Sequence, residues 1–161
     1  MNVSEFNTCV DEHSNGLYRF VLKNLRDSDQ ARDIVQDTFE KIWLKVDTIP
    51  FEKAKSYLYT TAYHTMIDKI RKQKFETQIE EHHEELVMTN NSFSDLKKVL
   101  DKALATLSEI QRSVVLLRDY EGYSYEEIGE ITGLNESQVK VYIYRARLAL
   151  KNYIGSLENV V

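Results

Sequence analysis

One proline and five glycines in 161 residues fall well below the usual shares of roughly 5% and 7%, which argues against a turn-rich β fold. The single cysteine, Cys9, has no second thiol to pair with and cannot supply a multi-thiolate metal site, so nothing calls for an oxidising compartment. The opening stretch MNVSEFNTCVDEHSNG lacks the basic and apolar regions of a secretory signal. No apolar run approaches the roughly 20 residues of a membrane span. A cytoplasmic protein is expected. Phosphate-cradling glycine loops, a nucleophile elbow and HExxH are also missing, so no enzyme is expected.

A basic surplus, the usual mark of a nucleic-acid partner, is missing as well: the formal net charge is −5. The distribution of that charge is more informative than its sum. Residues 1–75 carry 12 basic and 11 acidic side chains, residues 76–94 carry none and 5, and residues 95–161 carry 9 and 10. The whole excess sits in the middle segment.

What the chain has in quantity is helical periodicity. Phe6, Val10, Leu17, Phe20, Val21 and Leu25 mark a first helix ending at the polar turn Arg26-Asp27-Ser28-Asp29. Ile34, Val35, Thr38, Phe39, Ile42, Trp43 and Val46 then form an uninterrupted stripe of period 3.6, stopped before Pro50. From Lys53 to Lys74 a third helix separates two faces. Leu58, Tyr59, Ala62, Tyr63, Met66, Ile67 and Ile70 face inward, while Tyr57, Thr60, Thr61, His64, Asp68, Arg71 and Lys72 face outward. The acidic stretch 76–94 has no continuous apolar stripe and reads as a flexible linker. Beyond it, Leu96, Val99, Leu100, Ala103, Leu104 and Leu107 predict a helix ending before Ser108. Ser108 with Gln111 opens the next, whose core face is Ile110, Val114 and Leu117, with Tyr120 next on the same stripe. Ser124 with Glu127 opens a short helix ended by Gly133, and Asn135 with Gln138 caps a last one through Tyr153. The expected fold is therefore all-α. It comprises an N-terminal helical bundle (1–75) and a C-terminal helix-turn-helix domain (95–161), joined by the flexible acidic linker (76–94). Each half is below the roughly 80 residues at which a lone core becomes comfortable, so each gains from a partner.

The stretch SYEEIGEITGLNESQVKVYIYRAR has the helix-turn-helix layout. Gly129 permits close approach of the two helices, Gly133 supplies the turn, Leu134 plugs the junction, and Val139 and Ile143 face the core. Projection of the final helix leaves Ser137, Gln138, Lys140, Val141, Tyr144, Arg145, Arg147 and Lys151 outward, with no acid between Gln138 and Tyr153. The first four are candidates for base edges in a major groove, and Arg145, Arg147 and Lys151 for phosphates. A solvated basic helix end complementing its dipole is the plainer alternative. The outward face of the third helix combines an aromatic, hydroxyls, an imidazole and cations, a mixture suited to unstacked bases. Asp33, Gln36, Asp37 and Glu40 form an acidic stripe at i, i+3, i+4 and i+7 that either docks a basic helix or answers the helix dipole. His82, His83, Glu84 and Glu85, and the pair Cys9 and His13, lack further ligands at usual spacings, so neither a metal nor a cofactor is expected.

Taken together, these motifs resemble the extracytoplasmic-function (ECF) sigma factors of bacterial RNA polymerase, in the sigma-70 family. ARDIVQDTFEKIW (31–43) is similar to their polymerase-docking helix. KSYLYTTAYHTMIDKIRK (55–72) is similar to the helix that reads the −10 element, and residues 107–150 to the −35-reading domain. The resemblance implies an alternative sigma factor that binds core RNA polymerase and directs promoter-specific initiation. It places Asp33, Gln36, Asp37 and Glu40 on the clamp helices of the largest subunit, and the second domain near the flap of the second subunit. The loop Asp47–Lys53, with Thr48, Ile49 and Phe51, would cradle a flipped −10 base, with Tyr57, Thr60, Thr61, His64, Arg71 and Lys72 around it. Ser137, Gln138, Lys140, Val141 and Tyr144 would face the −35 element, with Arg145, Arg147 and Lys151 on its backbone. An anti-sigma factor is the implied regulator, and no stable homo-oligomer is expected. Tyr57, Thr60, His64 and Ser108 stand where the family commonly has Trp, Arg, Asn and Pro, so its promoter preference does not carry over. A dimeric helix-turn-helix regulator and a polymerase-binding adaptor without initiation activity remain alternatives.

Overall fold

The structure, a computed structural model, describes residues 1–79 and 92–160. Among these are seven α-helices and no strands: α1 (Val3–Leu25), α2 (Ser28–Leu44), α3 (Ala54–Ile79), α4 (Ser92–Ala105), α5 (Glu109–Val115), α6 (Tyr125–Thr132) and α7 (Glu136–Val160).

Local chemistry sets the helix ends. The Asn2 side chain accepts from the Glu5 N–H while Glu5 accepts from the Asn2 N–H, closing a capping box on α1. Arg26 ends α1 in the left-handed region at φ 59°, and Asp27 then caps α2 through the N–H groups of Asp29 and Gln30. Between α2 and α3 lie two 3₁₀ turns, Val46–Thr48 and Phe51–Lys53, joined through Ile49 and Pro50. Ser124 and Glu127 form a second box on α6, and Gly133 ends that helix at φ 80°.

The first three helices pack around Leu17, Phe20, Val21, Ile34, Leu58 and Met66, all essentially buried, and the last four around Leu104, Val114, Leu117, Ile128, Val139 and Ile143. Burial of each such side chain is worth about 1.5–3 kcal/mol. These two sets belong to one continuous core. The halves meet where α3 packs on α6 and α1 on α4 and α5. A π turn, Leu116–Tyr120, shapes this junction: the Glu121 N–H donates to the Leu116 carbonyl at 3.0 Å, and Gly122 at φ 78° completes the bend. It delivers Glu121 and Tyr123 to the first half.

Several expectations change. The segment assigned to a linker at 76–94 is helical at both ends, since α3 runs to Ile79 and α4 begins at Ser92. Glu76 is a good helix former, and neither proline nor glycine follows it before Ile79, so α3 continues. Residues 80–91, including His82, His83, Glu84 and Glu85, lie outside the described residues. Leu96, on the apolar stripe of α4, is 69% exposed, and Tyr120 is also exposed, turned out at the π turn. Trp43, on the stripe of α2, is half exposed, because at the end of that helix its ring is covered on one side by Phe6 of α1.

Candidate nucleic-acid and polymerase interfaces

Helix α7 follows Gly133 and Leu134 as the second helix of the helix-turn-helix. A Cβ on Gly129 would stand 2.8 Å from the Leu134 carbonyl oxygen, so glycine is what lets α6 approach the turn. Val139, Ile143 and Ala146 anchor the inner face. Ser137, Gln138, Lys140, Val141, Tyr144, Arg145, Arg147 and Lys151 are all exposed. Three of these have local partners. Gln138 closes a capping box with Asn135, Lys140 pairs with Glu136 at 3.4 Å, and Arg147 donates two hydrogen bonds to the Asp119 carboxylate. That bidentate pair raises the Arg147 pKa. Arg145 and Lys151 carry no acidic partner among the described residues.

On α3 the two faces fall as the periodicity requires. The inward set Leu58, Tyr59, Ala62, Tyr63, Met66, Ile67 and Ile70 is buried. Tyr57, His64, Arg71 and Lys72 are exposed, and Thr60 and Thr61 are half-buried. The preceding loop exposes Thr48 and Phe51. Ile49 departs from its expected role: its side chain is 2% exposed and anchors the loop in the core, so it is not available to a base. An apolar residue between two polar turns gains more from the core than from solvent. The loop is further tied by the ammonium group of Met1, which donates to the carbonyls of Val46 at 2.7 Å and Ile49 at 2.8 Å.

The acidic stripe on α2 presents Asp33, Gln36 and Glu40 to solvent, with Asp37 half-buried and paired to Lys41 at 3.2 Å. Beside it runs an apolar groove of about 620 Å³ lined by Phe6, Val10, Phe39, Trp43 and Leu44, with Gln36 and Glu40 on its rim. Sequence reasoning missed this groove. The signal was the adjacent pair Trp43-Leu44, which cannot both follow Ile42 into one core at 100° per residue. Cys9 is buried beside the Met1 sulfur, and His13 lies near Glu12, its pKa lowered chiefly by burial.

A polar seam between the halves was also invisible in the sequence. The Glu121 side chain, 4% exposed, accepts two hydrogen bonds from Arg19 and one from the Tyr59 hydroxyl. Arg112 donates to Asn24 at 3.0 Å and to the Leu107 carbonyl, and Ser113 donates to the same Asn24 oxygen. Burial lowers the Arg112 pKa and raises those of Tyr59 and Tyr123, so both phenols stay protonated. The two tyrosine rings meet edge to face at 4.9 Å, and the Lys55 ammonium sits over Tyr123 at 4.2 Å.

Against known proteins, residues 9–76 match the model of sigma-70 region 2, and residues 97–150 that of sigma-70, region 4. The RNA polymerase sigma factor SigV of Bacillus subtilis is 33% identical over 140 residues, covering 86% of this chain and 84% of that one. The ECF RNA polymerase sigma factor SigM of the same species is 27% identical, covering 86% and 88%. Among solved structures, the sigma factor RpoE of Bartonella quintana, in complex with the anti-sigma factor NepR, superposes with a TM-score of 0.81 at 28% identity. It covers 95% of this chain and 98% of that one.

Proposed function

The chain belongs to the ECF sigma factors of the sigma-70 family, and from that premise we propose how its surfaces divide the work of directing RNA polymerase to promoters. It is an alternative sigma factor of transcription initiation, and it works by binding. Helix α7 enters the major groove of the −35 element. Ser137, Gln138, Lys140, Val141 and Tyr144 meet base edges there, while Arg145, Arg147 and Lys151 hold phosphates. The exposed face of α3 and the loop Asp47–Lys53 take the −10 element, with Phe51 and Tyr57 offering π surfaces to an extruded base. Asp33, Gln36, Asp37 and Glu40 dock on the clamp helices of the polymerase's largest subunit, and the apolar groove beside them receives a side chain from the same partner. The second half meets the flap of the second subunit. A protein of the anti-sigma kind, as NepR is for RpoE, regulates this chain in the cytoplasm, and it forms no stable homo-oligomer.

Geometry adds a requirement. A compact chain of this length has a radius of gyration of about 15 Å and a diameter of about 40 Å. Centres of the −35 and −10 elements lie about 25 base pairs apart, or about 85 Å along a straight duplex at about 3.4 Å per pair. The closed arrangement cannot reach both, so the halves part along the Arg19–Glu121 seam when polymerase and promoter are bound.

The observation that supports this reading is the exposed face of α7 from Ser137 to Lys151, which carries Lys140, Arg145, Arg147 and Lys151 and no acid, on the second helix of a helix-turn-helix. Multi-round transcription with core bacterial polymerase on a pooled promoter library tests it. New start sites preceded by paired elements are expected only with the protein present. Binding to core without transcripts would make it an adaptor, and duplex binding without core would make it an ordinary regulator.

A further inference from the structure

The capping box at the start of α7 constrains what Gln138 can read. Its backbone N–H donates to the Asn135 side-chain oxygen at 2.8 Å, and its own Oε1 accepts from the Asn135 N–H at 3.0 Å. A backbone N–H only donates, so the amide orientation is settled: the carbonyl oxygen faces the cap and the NH₂ group is left over. Gln138 is exposed at a shallow concavity of about 290 Å³ that it shares with Val141 and Arg145, on the face that α7 turns to solvent.

A glutamine that reads adenine accepts from the base N6 amino group while donating to N7. Here the Gln138 oxygen already accepts from the Asn135 N–H, which uses one of its two lone pairs and holds it at the cap. Resting on the assignment of α7 to the −35 element, we propose that Gln138 reads guanine there, as a donor only, while its carbonyl goes on capping the helix. The two hydrogens of one NH₂ group reach the adjacent acceptors O6 and N7 of guanine. Thymine offers O4 alone, adenine offers N7 alone beside an amino group that meets the NH₂ donor with donor, and cytosine offers only its N4 amino donor. Specificity at one promoter position is therefore set by a helix cap.

The test uses holoenzyme assembled from core polymerase and the full chain, transcribing a library with every −35 position randomised. Wild type should favour guanine over cytosine at one position by roughly tenfold, within the range of a good base contact. A glutamate side chain at this position retains an oxygen for the Asn135 N–H but presents an acceptor to the groove. The substitution Gln138→Glu should therefore turn that position from guanine to cytosine, whose N4 donates, and leave the other positions alone. Gln138→Ala should flatten preference at the same position only. A wild-type preference for adenine there, lost in Gln138→Ala, would show that the carbonyl oxygen serves the base as well and would overturn the proposal. So would a guanine preference that survives both substitutions. Arg145→Ala separates the two levels. If it weakens transcription from all sequences while Gln138 substitutions leave the preference untouched, only this proposal fails. If none of the three changes −35 dependence, the assignment of α7 fails with it.

Discussion

Glu121→Gln should lower the stability of the protein and raise its activity. The carboxylate lies at the seam between the halves, accepting from Arg19 at 2.8 and 2.9 Å and from the Tyr59 hydroxyl at 3.2 Å. Glutamine keeps the shape but removes the charge and turns an NH₂ group on one of those donors. A hydrogen bond to a charged group contributes about 1.5–3 kcal/mol. Because the Arg19 side chain is 48% exposed, solvent screening lowers the expected loss to about 1–1.5 kcal/mol. That opens the seam by about tenfold. If only the open form engages both promoter elements, apparent affinity rises in proportion to the open fraction. Transcription at subsaturating protein should then rise by up to about tenfold and converge with wild type at saturation, while the melting temperature falls by about 2–5 °C. Titration of the protein against core polymerase, thermal melting and the radius of gyration from small-angle scattering read the three quantities. Activity that falls in step with stability at every concentration would refute the reasoning. Gly16→Ala provides an independent route, because the added Cβ would stand 2.6 Å from the Tyr59 hydroxyl and 3.0 Å from Glu121 Oε1. It should loosen the same seam although alanine is the better helix former.

Gly129→Ala should cost about 1–3 kcal/mol, since its Cβ meets the Leu134 carbonyl and backbone cannot give way as a side-chain end can; chemical denaturation checks this, and an unchanged midpoint would show that α6 shifts freely. Leu44→Asp, at a side chain 83% exposed, should leave the melting temperature within about 1–2 °C, as surface changes of under about 0.5 kcal/mol do. It should also weaken binding to core polymerase at least roughly tenfold in a pull-down titration, and unchanged binding would remove the groove from the docking surface. Without polymerase, promoter duplex should bind weakly, with log affinity falling linearly in log salt at a slope of about −0.9 per phosphate contact. Tight, salt-insensitive binding measured by fluorescence anisotropy would contradict this.

Periodicity and caps are local properties, and residues close in sequence carry them. The stripe from Ile34 to Ile42, the two faces of α3 and the boxes at Ser124 and Asn135 are therefore legible along the chain, and with them the helical class and the outward face of α7. Motif order is enough to suggest the family, because it too is a one-dimensional property. Burial of a particular side chain depends on what packs over it. Ile49 reads as a base contact and is a core anchor, while Trp43 reads as core and lines an open groove. The partners that decide these cases come from another helix or turn. The seam lies furthest from reach. Arg19 and Glu121 are 102 residues apart, and Asn24 and Arg112 are 88 apart. Nothing in the local pattern says that the π turn will carry Glu121 to Arg19, or that α5 will pack on α1 and bring Arg112 to Asn24. Helices, caps and the family resemblance follow from neighbouring residues alone. Closure of the halves on one another does not, because a contact across such separations is set by the packing of whole helices.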